Sequence, residues 1–303
     1  MRHWLRSSAV DLALAVDIGG TKVAVGLVDS AGAVVGSLQA ATGVDPWAVV
    51  VKLVDEVRAG VPAALPGGAV IVACGVGCGG PMSPGGELVS PLNIPTWRDF
   101  PLRARLAALM DVPTFVDNDA KALALGEGWT GAAAGERNYM AMVVSTGVGG
   151  GVVVDGRLLD GASDNAGHVG HVIVEPRGRL CPCGARGCLE AEISGTAIAA
   201  VTGAPAASAG AAVIDAAGVK LGRAIASVVS LLDLRLVVVS GSVALGWGEP
   251  FFAAARRSLA ESARLSFAAG ARIEPGGLGH DGPLVGAAAV AWRALGTLPL
   301  ALL

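Results

Sequence analysis

The chain has 303 residues, a formal net charge of −3, 53% hydrophobic residues and 45 glycines. That length accommodates two domains or one large one with ample core. The slightly acidic balance leaves no basic footprint for nucleic acid and no attraction to an anionic membrane. Much of the apolar share is alanine and valine, as in an α/β protein with tight turns. There are five cysteines; that number is odd and three are assigned below to a metal, which argues against a disulfide framework and for a cytoplasmic protein.

The first residues, MRHWLRSSAV, place arginines ahead of an apolar run and so imitate a signal peptide. Asp11 interrupts that run, and it continues into Asp17-Ile-Gly-Gly without a cleavage site, so a strand is expected. The uncharged stretches 61–86 and 193–214 are broken by proline and glycine and do not read as bilayer spans. Strands are expected over 12–16, 23–28 and 33–38. The first two are joined by DIGGTK, Asp17 to Lys22. Such a tip presents successive backbone N–H groups to a polyanion, because Gly19 and Gly20 let it come close. Thr21 adds a hydroxyl, Lys22 a cation, and Asp17 could hold a metal-bound water.

Helical spacing follows over 46–59, an apolar strand over 69–77, a short helix over 102–110 and a strand over 112–116. That strand runs into Asp117-Asn118-Asp119 ahead of the helical AKALALGEGW. Ligands of parallel sheets sit beyond the carboxyl ends of strands. Capping explains one of these three polar residues; at least one more is expected to have a functional role. A strand over 138–145 then leads to Thr146-Gly147-Val148-Gly149-Gly150-Gly151, read as a second glycine-rich turn, with the return strand starting at 152–154. Two hairpins of the same kind, one in each half, point to a duplicated fold that grips one ligand between its halves.

The segment 164–192, DNAGHVGHVIVEPRGRLCPCGARGCLEAE, carries C-x-C-x4-C ten residues after His171. One nitrogen and three thiolates from His171, Cys181, Cys183 and Cys188 suit a closed, structural tetrahedral Zn²⁺ site. Arg177, Arg179 and Arg186 suggest an exposed, turning loop. Beyond it we expect helices over 190–201, 206–232 (one long or a broken pair), 250–266 and 281–295, with strands over 236–240 and 271–274.

Together these pieces resemble the ROK family (repressors, open reading frames and kinases) over nearly the whole chain. DIGGTK and STGVGGG resemble its two phosphate motifs, VVVSGSVAL its adenosine-side motif, GGPMSPGGELVSPLNIPTW its sugar-side loop, and GHVGH…CPCGARGCLE its zinc and sugar signature. The resemblance implies a two-lobed, duplicated actin-like (ribonuclease H-like) ATPase fold with an interlobe cleft and a structural zinc loop. The small α/β lobe would comprise 1–117 plus 281–303 and the large lobe 118–280. It also implies ATP- and Mg²⁺-dependent phosphorylation of a hexose or amino-hexose at the 6-hydroxyl, with Asp119 as general base. Gly80, Asn118, His168, His171 and Glu190 would meet the sugar. Asp17, Gly19, Gly20, Thr21, Lys22, Thr146, Gly147, Gly149 and Gly241 would serve the nucleotide, Asp17 through a water on Mg²⁺.

Two departures stand out. Where glucokinase-like members have A-G-E-x-G-H, this chain has Ala166-Gly167-His168-Val169-Gly170-His171. A neutral imidazole accepts one hydrogen bond and donates one, unlike a carboxylate. This points to an amino or N-acetylated sugar such as N-acetylmannosamine or an antibiotic-pathway aminoglucose, with plain glucose as the alternative. The stretch 195–219 is also shorter than the family's usual length, which leaves the helical layer there, and a homodimer, open. A sugar-responsive repressor would carry a DNA-binding domain ahead of the first phosphate motif. Only sixteen residues precede Asp17, so nucleic acid and membrane are not expected partners; a binding protein without catalysis is a third reading.

Overall fold

A computed structural model describes residues 9–60 and 68–298. The arginine-bearing start and residues 61–67 and 299–303 lie outside it. The described residues divide into two compact units, 9–122 with 280–298, and 123–279.

In the first unit, β1 (Val10–Ile18), β2 (Lys22–Asp29) and β3 (Val34–Ala41) form an antiparallel meander. β4 (Ala69–Cys78) and β5 (Thr114–Asn118) then run parallel to β1, in the order β3-β2-β1-β4-β5. The core is built of β-branched and leucine side chains from these strands, joined by α1 (Pro46–Gly60) and α2 (Leu102–Met110). α3 (Asp119–Trp129) starts where β5 stops. The closing helix α9 (Gly282–Ala294) is buried almost all round and packs on β1 and β4. Its close seat depends on small residues: a Cβ at Gly75 of β4 would collide with the Ala287 carbonyl.

The second unit repeats this plan. β6 (Tyr139–Val144) pairs antiparallel with β7 (Val148–Val154), and β7 with β8 (Arg157–Leu158). β9 (Leu236–Ser240) and β10 (Arg272–Pro275) run parallel to β6, in the order β10-β9-β6-β7-β8. Strand for strand this is the topology of the first sheet, so the duplication expected from two glycine-rich hairpins is present. The helices here are α4 (Leu189–Ile193), α5 (Gly195–Thr202), α6 (Ala211–Leu232), α7 (Ser242–Trp247) and α8 (Glu249–Ser262). Despite the short 195–219 stretch, α6 and α8 form a helical layer whose apolar faces enter the core of this sheet. Gly218 and Gly222 of α6 make the approach possible: a Cβ on Gly218 would lie 2.6 Å from Phe251 O, and one on Gly222 would overlap Ala255 O.

Several expected boundaries move. The helix over 190–201 is two helices, because Ser194 ends α4 and its hydroxyl caps α5 by accepting Ala197 N–H at 3.1 Å. The helix over 206–232 is a short 3₁₀ turn, 206–208, followed by α6. The helix expected to reach 266 is α8, which stops at Ser262; the expected strand at 112–116 is β5, shifted two residues on. Among the described residues no helix is long and apolar enough to cross a membrane.

Candidate functional site

In the first unit the carboxyl ends of β1, β4 and β5 gather the acidic residues. Asp17, Gly77 and Asp117 stand in register across the three strands. Gly77 borders both Asp17 and Asp119: a Cβ there would touch Asp119 Cα at 3.5 Å and Asp17 Oδ1 at 3.6 Å. Desolvation, then the negative charge of Asp119, push the Asp17 carboxyl up to about 7, with Lys22 pulling the other way. Two carboxylates this close suit a site that receives cationic charge.

The three polar residues after β5 divide their work. Asp117 pairs with Lys121 at 2.9 Å, an ion pair in which the lysine side chain is 1% exposed. Asn118 Oδ1 accepts Ala120 N–H at 3.0 Å and so caps α3. Asp119 Oδ1 accepts the same N–H at 2.8 Å, which fixes its carboxylate at the helix start. The structure therefore brings Asp17, Asn118 and Asp119 together.

The DIGGTK tip is tight, with Gly19 N–H donating to Lys22 O at 2.9 Å. It is braced by a residue that sequence reasoning missed: Thr42 Oγ1 donates to Gly19 O at 2.7 Å, and Thr42 N–H to Thr21 O at 3.1 Å. Nothing in the local pattern at Thr42, the first residue after β3, gives this role away. Gly20 faces Asn93, to which a Cβ would approach within 2.6 Å, so the 79–97 loop carrying Gly80 packs on this tip. Thr21 and Lys22 are exposed at it.

In the second unit the equivalent tip is Ser145-Thr146-Gly147, closed by Ser145 N–H to Gly147 O at 2.9 Å. The expectation of a turn through Gly151 needs correction. β7 already begins at Val148, and Gly149, Gly150 and Gly151 pair with Val143, Met142 and Ala141 inside the sheet. At Gly150 the lack of a side chain serves packing: it lies under Val169 and Gly167, so the loop 167–170 can press on the strand. Gly241 follows β9 with φ 102°, and Ser145 and Ser242 hydroxyls meet at 2.9 Å.

Glu190 is anchored to this tip, its Oε2 accepting Val148 N–H at 2.8 Å. His168 stacks near His171, with ring centroids 5.9 Å apart. Partial burial and the neighbouring His171 hold the His168 imidazole below its usual pKa against the pull of Glu190, so it is neutral at physiological pH. His168, His171 and Glu190 therefore form one group.

One donor atom from each of His171, Cys181, Cys183 and Cys188 lies within 4.8 Å of the others. His171 Nδ1 is 3.7 Å from Cys181 Sγ, and Cys183 Sγ is 3.7 Å from Cys188 Sγ. Tetrahedral Zn²⁺ with Zn–S near 2.3 Å sets its sulfurs about 3.8 Å apart, so the donor set fits that ion. The loop is exposed at Arg177 and Arg186, as its arginines suggested, and turns at Gly184 and Gly187, while parts of it are buried. Cys181 and Cys188 are buried, and Arg179 donates through its backbone N–H (2.8 Å) and guanidinium (3.0 Å) to Glu192. Glu192, 4% exposed, is also paired with Lys220 of α6, which ties the loop to the core.

Two mixed five-stranded sheets of the same topology, each with a glycine-rich hairpin at its parallel end, define the actin-like ATPase fold. Residues 13–294 match the ROK family, and the chain belongs to it. It is 30% identical over 320 residues to a glucokinase of Thermotoga maritima, covering 93% of this chain and 98% of that one. It is 36% identical over 256 residues to an N-acetylmannosamine kinase of Yersinia pestis, covering 78% and 84%. Among solved structures, the ROK glucokinase of Streptomyces griseus in complex with glucose and AMPPNP superposes with a TM-score of 0.77 at 28% identity, covering 91% of this chain and 98% of that one.

Proposed function

We propose that this protein transfers the γ-phosphoryl group of ATP to the 6-hydroxyl of a hexose or amino-hexose, with Asp119 as general base. The observation that carries the reading is the pair Asp17, at the end of β1, and Asp119, at the start of α3, which both border Gly77 and interact electrostatically. The attacking hydroxyl gives its proton to the Asp119 carboxylate as its oxygen bonds to the γ-phosphorus, and the bond to the ADP oxygen breaks. Mg²⁺, arriving with the nucleotide, supplies neutralising charge, and Asp17 would hold one of its waters. The hairpin N–H groups and Thr21, Lys22 and Thr146 would hold phosphate oxygens; Gly241 would lie on the nucleoside side.

Gly80, Asn118, His168, His171 and Glu190 are the sugar contacts in this reading. Zn²⁺ would be held by His171 Nδ1 and the three thiolates, which leaves Nε2 of that ring to the substrate and locks its orientation. The neutral His168 offers one donor and one acceptor, a match for an acetamido or amino group rather than two hydroxyls. An ADP-release assay with ATP and Mg²⁺ across glucose, mannose, N-acetylmannosamine, N-acetylglucosamine and 3-amino-3-deoxyglucose tests it. Preference for an amino or acetamido sugar is expected. Preference for glucose would make His168 a neutral substitution, and silence across the panel would move the reading to an unusual pathway sugar or to a binding protein without catalysis.

A further inference from the structure

The second unit has a buried carboxyl group that the reaction above does not use. Glu127, two turns along α3 from Asp119, is 0% exposed. Its Oε1 accepts the Ser240 hydroxyl at 3.1 Å, and its Oε2 accepts Gly277 N–H at 3.1 Å and Ala132 N–H at 2.8 Å. It thus joins the end of β9, the segment after β10 and the loop after α3. The neighbouring glycines exist for this contact: a Cβ on Gly276 would collide with Ser240 Oγ and stand 2.7 Å from Glu127 Oε1, and one on Gly277 would stand 2.7 Å from Ala132 N.

The topology says what lies over these strand ends. β6, β9 and β10 occupy in the second sheet the places of β1, β4 and β5 in the first. Strands lie about 4.8 Å apart, so the ends of β9 and β10 extend the carboxyl edge by about 10 Å beyond the β6–β7 tip. A nucleotide whose phosphates sat on that tip could lay its nucleoside along that edge. The edge is linked twice: Ser145 to Ser242 joins β6 to the start of α7, and Glu127 joins β9 to the segment after β10.

We propose that Glu127 is the positioning residue for the nucleoside half of the nucleotide, acting through Ser240 and Gly277 and touching no substrate itself. The proposal rests on the kinase reading. It is tested on the full chain by calorimetric titration with Mg·ATP and, separately, with Mg·tripolyphosphate, which has the phosphates but no nucleoside. Ser240→Ala removes one of the three contacts and should weaken ATP about tenfold while tripolyphosphate stays within about twofold. Glu127→Ala leaves two N–H groups and a hydroxyl without their acceptor, and should weaken ATP further with the same selectivity. Glu127→Gln should bind ATP within about threefold of the parent, because its carbonyl keeps both N–H bonds and Ser240 can turn to accept from the amide. Unchanged ATP affinity in Ser240→Ala, parallel loss of ATP and tripolyphosphate, or more than a roughly tenfold loss of ATP affinity in Glu127→Gln overturns the proposal; Ser240→Ala and Glu127→Gln decide it even if Glu127→Ala does not fold. If the parent protein binds tripolyphosphate and ATP equally, the inference fails while phosphate binding stands. If it binds neither, the kinase reading itself fails.

Discussion

Asp17 and Asp119 set opposing demands on the same few cubic ångströms. A carboxyl pushed up to about 7 in the folded chain costs stability wherever the unfolded chain has already released that proton. The penalty is absent below the unfolded carboxylate pKa of about 4, grows as pH rises towards the folded value and is constant above it. Without nucleotide or Mg²⁺, the parent should lose stability between those limits. Asp17→Asn should therefore raise the unfolding midpoint by roughly 4 °C at pH 8 and leave it unchanged near pH 4, read by thermal denaturation. An equal effect at both pH values would assign the gain to something other than charge. Asp119→Asn should lower kcat by about a thousandfold with sugar binding intact; turnover near the parent's would exclude Asp119 as the base. Asp117 is explained by neither role, since Lys121 occupies it.

Among the elements, the 164–192 loop and the α6–α8 pair depend on different physics. The loop has little apolar core of its own, only Cys181, Cys188 and Ala191 with Ala185 against them. A metal ion held by the four donors would therefore supply much of its folding free energy. Cys183 is the exposed member of the donor set, so Cys183→Ser removes almost no packing. It should nevertheless abolish bound zinc by elemental analysis and weaken sugar binding more than tenfold. Retention of one zinc per chain would exclude these ligands. The helix pair depends on glycine instead. Gly222→Leu forces α6 away from α8 across Ala255 and Ser258 and should destabilise the fold by about 3 kcal/mol in urea unfolding.

At the scale of the whole molecule, two sheets of one topology carry different cargo at the same edge. The first presents acidic groups and an asparagine; the second presents serines and glycines, with Glu127 buried beneath. Duplication supplies two strand-end platforms, and side chains then divide the roles. The net charge of −3 belongs to this scale as well. A protein that neutralises few phosphates has little counterion release to gain, so no retardation of duplex DNA is expected at 150 mM salt. A shifted band there would revive the regulatory reading.

Much of this protein is legible in its sequence because the chemistry concerned is local. Glycine-rich tips, the C-x-C-x4-C spacing and the strand that ends in Asp117-Asn118-Asp119 each depend on a few consecutive residues, and a sequence displays those directly. What only the tertiary structure decided was contact at a distance. Thr42 bracing Gly19, Glu190 held by Val148, and Glu127 spanning Ser240 and Gly277 join residues 23, 42, 113 and 150 positions apart. The glycines at 149–151 illustrate the limit most clearly. Their composition says turn, yet they lie in a strand, and at Gly150 what excludes a side chain is the 167–170 loop packed against it. Glycine reports that space is short, and only the folded chain shows what fills it.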